Sequence, residues 1–477
     1  LILALDIGTS SVRAAVYDAQ GERLPDTFVK NERRIELTEN GGAEIDAEKA
    51  LAQVIEAVNE VLTLAPQAAQ SIEYVAVSCF WHSLIGVDKN GNAVTPVLTW
   101  ADTRSKGLIG ELREKLDERE VHNRTGCRFH PSYWPAKLLW YRQEQPDIFA
   151  RAGKWLSFSD YLALKFSGTA VTSVSMASGT GIFDIRRCQW DEELLNFLGI
   201  TEENLPAVAD DDLTFQTGHW EKLKNARWFL GVGDGAANNV GAGCTTKEKA
   251  ALMIGTSGAM RVAFIGEPPA EIPEGLWCYR IDRKRIITGG ALSDGGGLYA
   301  WLKNTLKIAE VDDEIEAEIA LRAPDSHGLT FLPFLAGERS TGYHENATGA
   351  VLGLTQNTTA VEIVHAAMES VAYRFAQIFE QLKTVYPVTE IIASGGGLRE
   401  SPVWTQIIAD VLGMKLSLPE MREASSLGVV NLALEAAGKK IEAGKKSAHR
   451  IFTPDVKNNK IYGKAREKHE HLYKLLM

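Results

Sequence analysis

Cysteine is scarce in this chain, with five in 477 residues, at Cys79, Cys127, Cys188, Cys244 and Cys278, and no C-x-x-C pair among them. An odd, dispersed set argues against a disulfide framework or a zinc site, and reduced thiols in a cytoplasmic protein are the expectation. Basic residues are not in excess either. Lys and Arg number 51 against 62 Asp and Glu, a formal net charge of -11, so neither nucleic acid nor an anionic membrane surface is expected as a partner. No apolar run approaches the roughly 18 residues of a membrane span, and the N-terminus has no basic n-region or cleavage site. The first residue is Leu1 rather than Met, so the natural start is left open. Low-complexity tracts are absent, and so is the G-x-x-x-x-G-K-[ST] phosphate loop.

What is present is a long globular sequence. With 477 residues and 45% hydrophobic content, it suits two or three domains with large cores. Residues 4–18 read ALDIGTSSVRAAVYD and residues 252–265 read LMIGTSGAMRVAFI. The run Ile-Gly-Thr-Ser occurs in both, each time as a turn between two apolar strands. The first half then follows a β-β-β-α-β order, with Asp46 as the expected N-cap of the helix, and the second half repeats the logic. Residues 131–166 read as largely helical. Copies half a chain apart suggest two duplicated α/β domains facing one cleft, divided as 1–243 and 244–477.

Several stretches carry candidate chemistry. A Gly-Thr-Ser turn offers backbone N–H groups and two hydroxyls to phosphate oxygens, and Asp6, found only in the first copy, could hold Mg²⁺. GVGDGAANNVG sets Asp234 between Gly233 and Gly235 ahead of a small-residue helix, where it suits a general base. The same residues also fit a G-x-G-x-x-A dinucleotide fingerprint or a plain helix N-cap. In ASGGGLRESP, Gly395, Gly396 and Gly397 leave room for a nucleotide against the backbone, with close helix–strand packing as the alternative. Trp81, His82, Trp100, Asp102 and Arg104 crowd into about 25 residues and offer a polyhydroxylated ligand a stacking face and directional hydrogen bonds. Lys137 is a candidate cation for an acidic substrate.

Taken in order, DIGTSSVRAAVYD, WADTR, GVGDGAANNVGAG, IGTSGAMR, GGALSDGGGLYAWL, FLPFLAGERS and SGGGLRESPVWTQIIADVLG resemble the FGGY carbohydrate kinases over nearly the whole chain. The resemblance implies a duplicated actin-like (ribonuclease H-like) fold with a central cleft, and a kinase using ATP and Mg²⁺ on a small sugar or sugar acid. It implies Asp6 near the metal, and Thr9, Ser10, Ser11 and Arg13 around the transferred phosphate. Gly255, Thr256, Ser257 and Gly258 fall on the second phosphate turn, Gly395, Gly396 and Gly397 beside the adenosine, and Asp234 at the base position. Trp81 and His82 fall where the family's sugar contacts lie. FWHSLIGVDKNGNAVTPVLTWADTRS is most similar to gluconate kinases, for which Lys137 and Arg104 are the expected carboxylate cations and 6-phosphogluconate the expected product. Xylulose, ribulose and polyol kinases of the same family, and a non-catalytic sugar-sensing protein of this fold, are the alternatives. A homodimer is compatible with this reading.

Overall fold

The computed structural model describes residues 1–209, 212–308, 312–420, 423–439 and 449–477. Two seven-stranded sheets organise it. In the first, Val29–Glu32, Ser11–Tyr17, Ile2–Ile7, Tyr74–Cys79 and Arg227–Phe229 lie side by side. In the second, the same places are taken by Arg285–Leu292, Gly258–Ile265, Lys249–Ile254, Glu390–Ser394 and Leu416–Pro419. Strand directions match as well: each opens with an antiparallel meander, and each first strand pairs in parallel with a later one. The duplicated α/β architecture expected from the doubled turn is therefore present, built around a central cleft.

Each sheet is clad by helices whose apolar spacing faces it. Ala47–Leu64 starts at Asp46, whose carboxylate accepts the Lys49 N–H at 2.8 Å, and it buries Ala50, Val54, Ala57, Val58 and Val61 beside the first sheet. That spacing forms one helical stripe. Ala360–Val385 begins with a reciprocal Thr359–Glu362 capping box and lies along the second sheet. Residues 131–166 are largely helical, as expected, with one short strand among the helices. Three helices, Trp134–Glu144, Pro146–Arg151 and Phe158–Ser167, are interrupted by the strand Lys154–Leu156, which pairs with Ile85–Val87.

The halves are joined by a crossing of two small-residue helices, Asp234–Gly241 and Ala424–Ala436. A Cβ on Gly241 would lie 1.8 Å from the Ala424 carbonyl oxygen, and one on Gly428 would lie 1.8 Å from that of Ala237. Only glycine allows backbones this close. Val429, Val430, Ala433 and Leu434 of the later helix pack with Ile2, Ala4, Tyr74 and Ala76 of the first sheet, so a helix from the second half completes the core of the first. Among the described residues, no helix is long and apolar enough to cross a membrane.

Candidate active site

Between the sheets lies a cleft of about 1230 Å³, whose lining includes Asp6, Gly8, Thr9, Ser10, Arg13, Trp100, Asp234, Gly255, Thr256, Ser257, Arg261, Gly395 and Gly396. Both Gly-Thr-Ser turns face it. The Gly8 N–H is tied back to the Ser11 carbonyl and the Gly255 N–H to that of Ser257, each at 2.9 Å. Carbonyls of the first turn are gripped from behind by Arg33, whose guanidinium donates to Gly8 O and, at 3.1 Å, to Thr9 O. In the second turn Gly296 N–H reaches Gly255 O at 2.8 Å and Gly297 N–H reaches Thr256 O at 2.9 Å. Arg33 had no signal in the sequence, because its work is to brace a turn 24 residues away.

Asp6 ends the first strand, buried, with Oδ1 accepting from Ser78 Oγ at 2.9 Å and Oδ2 from Arg13 Nη1 at 3.1 Å. Desolvation raises its carboxyl, and Arg13 partly offsets that. A carboxylate has about four acceptor sites, so Asp6 keeps lone pairs for a hard cation, and a cation would relieve its desolvation. The donor set therefore fits Mg²⁺ at this residue.

Asp234 is the first residue of its helix and accepts the Gly235 N–H at 2.7 Å. Burial pushes its carboxyl up to about 6; the Arg261 guanidinium pulls it down and Asp6 adds to the rise. Arg261 is itself 7% exposed, its Nε and Nη1 have no hydrogen-bond partner, and burial lowers its guanidinium to about 10. This unpaired cation in the cleft closes the motif IGTSGAMR, yet reading the sequence did not single it out.

The glycines flanking Asp234 serve an aromatic ring. A Cβ on Gly233 would fall 1.8 Å from Trp81 Cε2 and one on Gly235 would fall 2.7 Å from Trp81 Cζ3. Trp81 fills the space a dinucleotide pyrophosphate would need, and the helix lacks the βαβ setting of that motif, so the G-x-G-x-x-A match is explained by packing. Trp81 is accordingly a correction: its ring is enclosed and its Nε1 donates to Ser175 O at 2.9 Å, so it supports Asp234 from behind. The indole on the cleft is Trp100, whose Nε1 donates to Thr9 Oγ1 at 3.2 Å.

Three further expected substrate contacts are also corrected. Lys137 is fully buried, and Nζ donates to His82 O and Thr99 O, both at 2.8 Å; burial lowers its ammonium to about 7. Asp102 and Arg104 form an ion pair at 2.6 Å, extended to Glu44 at 2.6 Å, and the Arg104 guanidinium lies over the Trp140 ring. Their charges are engaged inside the first half, away from the cleft lining. Of the glycines, Gly395 has φ +97 and a Cβ there would lie 2.2 Å from Ile254 O, while one on Gly397 would lie 2.9 Å from Ile254 Cγ2. Close packing accounts for both, and Gly397 is not on the cleft lining. Ser11 and Gly258 likewise begin strands behind the turns and do not line it.

His82 has φ +68, buried, with Nδ1 2.6 Å from Gly179 O. Burial and then the nearby Arg339 hold its imidazole well below the usual range, so it is neutral. Arg339, from the loop FLPFLAGERS of the second half, brings Nη2 to 3.5 Å from His82 Nε2 and lies 5.3 Å from the Trp100 ring centroid. Reading the sequence missed it too. Among the described residues, the one other cluster of metal-ligand type is His327, His365 and Glu369. There His327 Nδ1 accepts the Leu329 N–H at 3.0 Å, so Nε2 carries the proton it gives Glu369 at 3.1 Å, and the ring has no lone pair left for a metal.

Residues 1–218 match the model of the FGGY family of carbohydrate kinases, N-terminal domain, and residues 250–437 that of its C-terminal domain. The chain is 30% identical to a gluconokinase of Bacillus subtilis over 456 residues, 92% of this chain and 88% of that one. A gluconate kinase from Lactobacillus acidophilus superposes with a TM-score of 0.88 at 27% identity, covering 100% of this chain and 98% of the other. A ligand-bound xylulose kinase from the same organism gives the same TM-score, identity and coverage. Two turns facing one cleft, a pair of acids on its lining and matches across both halves lead to one conclusion: the chain belongs to the FGGY family of carbohydrate kinases and is a sugar kinase.

Proposed function

We propose that this kinase transfers the γ-phosphoryl group of ATP to the 6-hydroxyl of D-gluconate, with Asp234 as general base. The observation that carries the reading is Asp234 itself, on the cleft lining with the two Gly-Thr-Ser turns and held up at about 6. At pH 7 a carboxyl of that pKa is about ten to one ionised, yet basic enough to take a proton late in the transfer. Arg261 keeps it from rising further. The hydroxyls of Thr9, Ser10, Thr256 and Ser257 would receive the phosphates, with Arg13 and Arg261 adding positive charge where the loose transition state spreads its own. Asp6 would hold Mg²⁺, which when bound supplies further charge neutralisation. Gly395 and Gly396 would lie beside the adenosine. The crossing at Gly241 and Gly428 suits a pivot on which the lobes close and exclude water.

Support for gluconate comes from the gluconokinase and gluconate kinase relatives and from the unpaired arginines of the site. The test is a coupled ADP-release assay over D-gluconate, D-xylulose, D-ribulose and glycerol. Gluconate should give the highest kcat/KM, and Asp234→Ala should lower it by about 10²–10⁴-fold. Near-wild-type turnover by Asp234→Ala would refute the base, and preference for a neutral acceptor would refute the substrate. Sugar binding without any ATP turnover would mark a non-catalytic protein.

A further inference from the structure

We infer that Arg339 is the residue that selects an acidic sugar, by receiving the substrate carboxylate. The inference rests on the proposed sugar-acid kinase reading and replaces its expected cations, Lys137 and Arg104, with a residue from the opposite half. Arg339 has no carboxylate within ion-pair distance among the described residues; its guanidinium meets the neutral imidazole of His82 and the face of Trp100. A half-buried guanidinium beside neutral partners has an unmet preference for a planar anion, which it can bind with two parallel N–H donors.

The surroundings keep it unmet. The adjacent acid, Glu338, is 2% exposed and fully engaged: it pairs with Arg374, accepts both Tyr473 OH contacts at 2.9 and 2.8 Å, and takes the N–H groups of Gly342 and His344. Those partners occupy the carboxylate of Glu338 and anchor the loop. Asp294 holds the Ala336 N–H at 3.2 Å, and Ser340 exchanges hydrogen bonds with Ala291, through N–H to Ala291 O at 3.0 Å and through Oγ from Ala291 N at 3.1 Å. His130 Nε2 donates to Glu338 O at 3.1 Å from the first half, and burial, with Arg339 next, lowers that imidazole to about 3. The residues on either side of Arg339 are thus pinned, and both histidines near it are uncharged. The guanidinium is preorganised, so a carboxylate gains a charged partner without reordering the loop. It also lies within electrostatic reach of Asp234, whose carboxyl it lowers.

The test is a cycle in which the protein changes by Arg339→Met, which keeps the stem over Trp100, and the ligand changes from D-gluconate to D-glucitol, its uncharged alditol. Wild type should bind gluconate more tightly than glucitol. In Arg339→Met the gluconate affinity and kcat/KM should fall by about 30-fold or more, glucitol affinity should change less than about threefold, and Arg339→Lys should recover part of the loss. Unchanged ADP affinity and melting temperature confirm that the variant is folded. Equal losses for both ligands, or none, overturn the assignment while gluconate turnover by wild type leaves the kinase reading standing. No preference of wild type for any sugar acid over its alditol overturns both.

Discussion

Asp234→Asn should make the folded protein more stable while removing its activity. Burial holds the Asp234 carboxyl at about 6 against an ordinary 3.8. An acid whose folded pKa is raised binds its proton more tightly in the native state. Its contribution is therefore most favourable below pH 3.8 and is lost as pH rises through 6. Two units of difference amount to about 3 kcal/mol at pH 7, and water in the cleft reduces that to about 2 kcal/mol. Asparagine is nearly isosteric and carries no charge, so the variant recovers this sum. Unfolding entropy for 477 residues is about 1 kcal/mol per kelvin, so the melting temperature should rise by about 2 °C at pH 7. At pH 5 the native carboxyl is already mostly protonated, and the gain should shrink to about half. Differential scanning calorimetry of both proteins from pH 5 to pH 8 reads the effect. A variant that melts at or below wild type at pH 7, or a gap that does not narrow towards pH 5, would refute the claim that Asp234 is held ionised against its environment.

Arg261→Gln should move the acid limb of the pH profile of kcat/KM from about 6 upward by about one unit, because the guanidinium is the main influence lowering Asp234; at pH 6 the ionised fraction of the acid should fall about fivefold and the rate with it, and an unmoved limb would refute the coupling. Lys137→Met should leave two buried carbonyls, His82 O and Thr99 O, without their donor, lowering stability by about 2–4 kcal/mol in urea titration. Its preference for acidic over neutral ligands should stay intact, and loss of that preference would restore Lys137 as a carboxylate contact.

Much of the fold was legible because it is written in local pattern. The doubled turn, the Asp46 cap, the small-residue helix after Asp234 and the strand order of both halves depend on periodicity and turn chemistry within about 20 residues. The candidate site was legible where a motif is its own structure, as at Asp6 and Asp234. It was obscure where the role depends on the other half of the chain. Lys137 and Arg339 are equally cationic on paper. Folding buries the first on two carbonyls and leaves the second facing His82 and Trp100 across the lobes. Trp81 and Trp100 diverge for the same reason, since the ring that fills a gap cannot be told from the ring that lines one until Gly233 and Gly235 are brought against it.

The two turns that read alike in sequence differ by one residue in length, and that difference decides where the charges go. In the first hairpin Ile7 pairs with Val12, leaving four residues in the turn; in the second Ile254 pairs with Gly258, leaving three. Side chains alternate across a sheet, so a one-residue change in register turns every following residue to the other face. Aligned by sequence, Arg261 matches Ala14, which lies on the face opposite Asp6 and Arg13. The shorter turn brings it instead onto the face of Met253, opposite Ala251, and into the cleft. The first hairpin thus presents a carboxylate already paired with Arg13, and the second presents an apolar Met253 with an unpaired guanidinium behind it. Arg261 is the cation that does most to offset the rise that burial gives the Asp234 carboxyl. An acid at 253 would add a second negative charge on the face that carries Arg261, so the proposed role of Asp234 as base is served by an apolar residue there.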